Sequence, residues 1–425
     1  MQTTPKSLRL QIGIFGRTNT GKSSFLNMIV GQDISIISPI PGTTTDVVEK
    51  VAELLPIGPV VFLDTAGIDD TSALASERIR KTVAVFDRAD VFLLLTQDGV
   101  WGEFERFVYE ESLKRNTPLI VVVNKADLNY PSDEFLKQIR EHTSFIFICC
   151  STDLTQREEC LRSLKQFLIK SLPDEHFRKT SIIGDIIPSG GLAVMIVPID
   201  LQAPKGRLIL PQVQTIRDAL DNDASALIVK ETEYKNILSV LNRNPDLVIC
   251  DSQVVTNMVD LTPGGIPCTT FSILFARLKG DLVSAARGAA TIQNLKSGDR
   301  VLISESCTHH ATEDDIGRVK IPRWLNKYKA GMNISIDVCS GRDYPRDIET
   351  YALIIHCGGC MITRKEMLSR IDKAGNCGVP VTNYGLAISC FQGVVERVLE
   401  PFPAALNEYI TEINVKSPKQ DRKKL

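Results

Sequence analysis

The stretch GRTNTGKS at residues 16–23 constrains this 425-residue chain more than any other. It follows the apolar run LQIGIF and precedes the helix-compatible SFLNMIV. Glycines at such a junction let backbone N–H groups crowd toward one point at a helix start, where the helix dipole favours an anion. This P-loop pattern commits the segment to strand, loop and helix in that order. Gly16, Arg17, Thr18, Asn19, Thr20 and Gly21 are expected to wrap phosphates. Lys22 is expected to reach the β- and γ-phosphates, Ser23 to ligate Mg²⁺, and Ser24 to close the loop.

Two further motifs follow, each at the end of an apolar run. Asp64, in DTAG, is expected to hold Mg²⁺ through water, and the Gly67 amide to sense the γ-phosphate. Asn124, Lys125 and Asp127 belong to NKAD. The Asp127 carboxylate can accept two hydrogen bonds from the N–H edge of guanine, which adenine does not offer, so the expected nucleotide is GTP. Within PGTTTD, Thr44 is the expected switch ligand to Mg²⁺, with Thr43 the alternative. Ser151 and Thr152 are expected to support the guanine base, although the usual Ser-Ala pair is absent there. Lys22, Thr44, Asp64 and Gly67 are therefore the expected catalytic group of a GTP-hydrolysing enzyme.

Composition narrows the partners. With 43% hydrophobic and 24% charged residues and a formal net charge of -2, the chain reads as soluble and globular. That balance provides no general drive toward nucleic acid or anionic membrane. The apolar runs VFLLL and PLIVVV are too short to span a bilayer. No secretory signal is evident, so the expected location is cytoplasmic. There the 11 cysteines are expected as thiols or metal ligands rather than disulfides.

The order of apolar runs predicts an α/β chain: a doubly wound, mostly parallel G domain followed by two smaller α/β domains. Strands are expected at LQIGIFG, VVFLDTAG, DVFLLLT, PLIVVVNK and FIFICC, with helices at 77–88 and 161–171. The G domain is placed at residues 1–175. LAVMIVPI, SALIVK and PDLVICD are strands of a second unit at 180–263, which ends at the turn-rich LTPGGIP. A third unit, 264–412, has strands ending in DRVLISESC, YALIIHCGGC and VPVTNYG. Residues 413–425 form a basic, solvated tail.

The third unit carries a second cluster of chemistry. Cys307-Thr308-His309 ends one strand, and His356-Cys357-Gly358-Gly359-Cys360 ends another, with 46 residues between the two histidines. Ligands at the carboxyl ends of strands in an open sheet can converge on one crevice. Three thiolates suit an iron-sulfur cluster or zinc, and spacing does not decide between them. His309 and His356 are candidate additional ligands, whereas His309 or His310 taken alone reads as a surface or outer-sphere histidine. Cys149, Cys150, Cys160, Cys250, Cys268, Cys339, Cys377 and Cys390 lie mostly in apolar runs and are expected largely as core.

Two resemblances sharpen this reading. Asn19 is similar to the P-loop asparagine of TrmE- and Era-type GTPases, which in the potassium-activated members binds K⁺ beside the phosphates. Ile68 stands where small signalling GTPases carry a glutamine, so the resemblance suggests that K⁺, with Asp69, Asp70 or Glu77, takes over the water-orienting role. The runs CTHHATEDDIGRVKIPRWL, YALIIHCGGC and APKGRLILPQVQTIRDAL resemble the [FeFe]-hydrogenase maturation GTPase family, HydF, over nearly the whole chain. That resemblance implies GTPase, dimerisation and cluster domains in a homodimer. It implies a [4Fe–4S] cluster on Cys307, Cys357 and Cys360, with His309 or His356 as fourth or exchangeable ligand. It further implies a diiron precursor received from HydE-like and HydG-like radical-SAM maturases and passed to apo-[FeFe]-hydrogenase.

Overall fold

A computed structural model describes residues 5–31, 48–65, 82–172, 181–198, 208–306, 315–341 and 344–416. The chain divides into two compact units, 1–179 and 180–425. Among the described residues no helix is long and apolar enough to cross a membrane.

In the first unit, six strands form one sheet in the order β2-β3-β1-β4-β5-β6. They are β1 (Leu10–Phe15), β2 (Val48–Leu54), β3 (Gly58–Asp64), β4 (Val91–Thr96), β5 (Leu119–Val123) and β6 (Ile146–Ile148). All pairings are parallel except β2 with β3. The unbroken apolar runs arise because the central strands are buried on both faces. Ile12, Ile14, Phe62, Leu93 and Val122 pack on one side. Phe15, Leu63, Phe92, Leu94 and Val123 pack on the other. Alternation thus sorts each strand between two cores.

The expected strands are all present. The sequence reading did not anticipate β2, whose VEKVAEL is half polar and edge-exposed. The last helix runs Arg157–Ser171 and so begins earlier than the expected residue 161. Its polar first turn, with Glu158 and Glu159, suits a helix N-terminus but shows little apolar periodicity. Of the helix expected at 77–88, residues 77–81 lie outside the described residues.

The second unit holds two four-stranded parallel sheets. One is ordered β10-β9-β7-β8, from β7 (Leu192–Ile196), β8 (Ser225–Val229), β9 (Leu247–Cys250) and β10 (Cys268–Thr270). The other is ordered β12-β11-β13-β14, from β11 (Arg300–Glu305), β12 (Ser335–Ser340), β13 (Leu353–His356) and β14 (Val381–Asn383). A large core runs from Ile182 to Tyr409 and takes in residues of both sheets, and a smaller one around Leu302, Ile354 and Val381 lies on the second sheet.

The expected boundary at 263/264 is corrected here: β10 bonds to β9 and belongs to the middle sheet. Three residues, CTT, are too few to show a period of two, and the preceding Pro-Gly turn looks like a domain break. The strand β12, SIDVCS, is likewise polar on its exposed edge and was not anticipated.

Candidate functional sites

The loop after β1 enters the helix Lys22–Val30 through Gly21, held at φ 88° in the left-handed region. A Cβ on Gly21 would lie 2.4 Å from Asn124 Nδ2, so the residue must be glycine for its space as well as its backbone. No side chain caps the helix start, which leaves first-turn N–H groups for a ligand. Asn19 also lies at positive φ, 62°. Lys22 Nζ donates to the Gly16 and Arg17 carbonyls at 2.8 Å each. Ser23 and Ser24 are exposed.

Arg17 is anchored rather than free. Its guanidinium donates to both carboxylate oxygens of Glu105, at 2.9 and 2.8 Å, and Glu105 is fully buried. Glu105 also accepts from the Gly102 amide at 2.8 Å. Sequence inspection could not find this tie, because its partners stand 88 residues apart.

Asp64 ends β3 facing the same loop. Burial raises its carboxyl above the usual value, while Lys22, Lys50 and a Ser23 hydrogen bond pull the other way. Its Oδ1 is buried and has no hydrogen-bond partner among the described residues. A buried, unsatisfied carboxylate oxygen beside a serine hydroxyl suits a hard cation that keeps several of its waters, as Mg²⁺ does.

Asn124 stitches the guanine-reading loop to the phosphate loop. Its Nδ2 donates to Thr20 O at 2.8 Å and to Ser151 Oγ at 3.1 Å, and its Oδ1 accepts from the Ser151 amide at 3.1 Å. Thr152 Oγ1 contacts Cys150 Sγ at 3.2 Å. Lys125 adopts φ 60°, and Asp127 is exposed. Thr43, Thr44, Gly67, Asp69, Asp70 and Glu77 lie outside the described residues.

In the second unit, β11 pairs with β12 on one side and β13 on the other, so the crevice beyond β11 and β13 is a topological switch point. The loop 357–360 follows β13. The Cys357 amide donates to Ser304 O at 2.9 Å, and the Ser306 amide donates to Cys357 Sγ at 3.2 Å. Burial pushes the Cys357 thiol up. The neighbouring His356 ring and the Ser306 hydroxyl and amide draw it back below the ordinary thiol value. Burial raises Cys360, with the Cys357 charge adding to the effect. Of the two loop glycines only Gly359 requires its type: φ is 59°, and a Cβ would lie 2.3 Å from Met367 Cε. Gly358 faces open space.

His356 is the last residue of β13. Arg370 Nε donates to its Nε2 at 2.8 Å, and its Nδ1 lies 2.8 Å from the Cys357 carbonyl. A guanidinium can only donate, so Nε2 accepts and the ring proton sits on Nδ1. Through these two contacts His356 braces the loop. Arg370 also donates to Ser304 Oγ at 2.6 Å and lies over the Tyr344 ring at 4.3 Å. Cys307, His309 and His310 lie outside the described residues. Among the described residues no three His, Cys, Asp or Glu side chains gather as a metal site. Of the other cysteines, Cys149, Cys150, Cys160, Cys250, Cys268 and Cys390 are buried, Cys339 is half-buried and Cys377 exposed.

The phosphate-loop motif, the aspartate of DTAG and the asparagine of NKAD, at the carboxyl ends of three strands of one sheet, place the first unit among the P-loop GTPases. The 50S ribosome-binding GTPase family model matches residues 11–125. Hydrogen maturase F models match the remainder, the dimerization domain at 182–280 and the tetramerization domain at 283–401. These two span just over half of the chain, which belongs to the hydrogen maturase F family.

Relatives of the first unit are similar over shorter stretches. The tRNA modification GTPase MnmE of Caldicellulosiruptor saccharolyticus is 37% identical over 155 residues, covering 35% of this chain and 33% of that protein. GTPase Der of Clostridium novyi is 31% identical over 201 residues, covering 42% of this chain and 43% of that protein. The chain thus spans between a third and a half of these relatives. An Era variant of Aquifex aeolicus bound to GDP.AlF4- is 30% identical, covering 38% of this chain and 56% of that one, with a TM-score of 0.31.

Proposed function

We propose that this chain is a GTP-hydrolysing scaffold of hydrogenase maturation, which holds a [4Fe–4S] cluster and carries a diiron precursor to apo-[FeFe]-hydrogenase. The observation that carries this reading is the Cys357–Cys360 loop, placed at a switch point beside Ser306 in a chain of the hydrogen maturase F family. Ser306 immediately precedes Cys307 in sequence. Cys307, Cys357 and Cys360 would supply three thiolates. A low-lying Cys357 thiol fits that use, because metals bind the thiolate. With three thiolates the cluster offers one iron corner that can exchange a guest. His309 and His356 are the candidates at that corner.

In the first unit, Lys22 neutralises phosphate charge and the backbone N–H groups of the loop hold the phosphate oxygens. Ser23 and Asp64 hold Mg²⁺, joined by Thr44, and Gly67 senses the γ-phosphate. Asp127 reads guanine, and Ser151 and Thr152 support it. Asn19 binds K⁺, consistent with its resemblance to TrmE-type loops. HydE-like and HydG-like maturases supply the precursor as cargo, and the chain works as a cytoplasmic homodimer.

The test is anaerobic purification, iron and sulfide determination, and activation of apo-hydrogenase by the precursor-loaded protein. A colourless, zinc-containing protein that activates no hydrogenase would leave only a TrmE- or Era-like regulatory GTPase.

A further inference from the structure

Lys279 ends the helix Phe271–Lys279 and is only 2% exposed. Its Nζ donates to Gly359 O at 2.9 Å, Cys360 O at 3.2 Å and Ile362 O at 3.0 Å. Three acceptors require three N–H donors, which only the ammonium form has. A full positive charge is therefore held beneath the cysteine loop. Among the described residues it forms no ion pair. An ammonium in such surroundings is costly unless opposite charge comes close. Carbonyl dipoles satisfy its hydrogens but do not neutralise it.

Family-model boundaries add a second point. Lys279 lies in the stretch matched by the dimerization-domain model, and the carbonyls that it grips lie in the stretch matched by the tetramerization-domain model. The cysteine loop is thus held by a cation from a different segment, anchored in the shared core through Phe271, Ile273, Leu274 and Phe275.

We propose that Lys279 is the positioning residue of the 357–360 loop and the counter-charge that sets the reduction potential of the cluster held there. This rests on the cluster reading above. Its three hydrogen bonds fix the turn that aims Cys360. Its charge favours the more negative, reduced state of a thiolate-bound cluster, since potentials follow net charge and nearby hydrogen bonds. Removing the charge should make reduction harder.

The test compares reconstituted wild type with Lys279→Met, Lys279→Gln and Lys279→Arg under anaerobic conditions. Iron and sulfide are counted, and each cluster is titrated against potential by paramagnetic resonance. Lys279→Met and Lys279→Gln should lower the reduced-to-oxidised ratio at a fixed potential at least tenfold, about 59 mV for a one-electron couple. Lys279→Arg keeps the charge and should stay near wild type. Equal potentials in wild type and Lys279→Gln would overturn the proposal. So would equal shifts in Lys279→Gln and Lys279→Arg, since charge would then be irrelevant. If Lys279→Met fails to hold a cluster, the Arg and Gln variants decide alone. A wild type without iron and sulfide would instead overturn the proposed function itself.

Discussion

The loops at 16–23 and 357–360 both follow interior strands of parallel sheets, yet a lysine serves each in the opposite way. In the first, Lys22 belongs to the loop and its ammonium rests on that loop's own carbonyls, Gly16 and Arg17. It can exchange those contacts for phosphate oxygens. In the second, Lys279 comes from another segment, and all three of its hydrogens go to carbonyls within 359–362. It has nothing left to offer a ligand directly and acts through charge and shape. The P-loop is built to meet its guest with backbone amides and a movable cation. The cysteine loop is built to present two sulfurs from a fixed base.

If this contrast holds, the sites fail separately. The largest expected effect is complete loss of bound iron and sulfide in Cys357→Ala or Cys360→Ala, with GTP hydrolysis retained, read by metal analysis beside phosphate release. Loss of both functions in one such variant would break the separation. Lys22→Ala should lower kcat for GTP about 10²-fold or more, as expected when a charged donor to the developing charge is lost, with iron content unchanged. Asp127→Asn should weaken GTP binding roughly ten- to hundredfold and favour xanthine nucleotides, because a charged hydrogen bond is lost. Titration with GTP and with its xanthine analogue measures this directly. A smaller effect concerns the cation. Turnover should be faster in K⁺ than in Na⁺ at equal ionic strength, and Asn19→Ala should erase the difference.

The smallest effect is on stability. Burial raises the Asp64 carboxyl above its ordinary value. The folded state thus binds a proton more readily than the unfolded chain, and stability contributed by the protonated form is lost as pH rises through the raised pKa. At neutral pH without Mg²⁺ the charged Asp64 therefore costs stability. Asp64→Asn should raise the Mg²⁺-free melting temperature at pH 7 by a few degrees, and the gain should shrink below the usual carboxylate range. A lower melting temperature would mean that the orphaned Oδ1 is better satisfied than its geometry shows.

Much of the architecture was legible because strands buried on both faces leave unbroken apolar runs, as in VFLLLT and LIVVV. The edges were not: β2 and β12 alternate polar residues with apolar ones, and β10 has only three residues. Motifs whose chemistry is local in sequence, GRTNTGKS and NKAD, were placed at strand ends as the sheet places them. The supports were invisible. Glu105, Arg370 and Lys279 each act across long separations. Lys279, at the end of FSILFARLK, has no sequence signal to separate it from a solvated helix end. His356, next to two cysteines, reads in the sequence as a candidate ligand, and its contact with Arg370 shows only in the fold.

The large core shared by both sheets from Ile182 to Tyr409 bears on how this chain can be cut, grafted or inherited. A gene fragment starting at 264 would carry β10 away from β9 and leave both pieces with a raw edge open to unwanted pairing. The cysteine loop is therefore not a portable cassette of its own. Transplanting it into another protein would mean moving the dimerization-matched half along with it, because the lysine beneath the loop and the wall behind that lysine come from there.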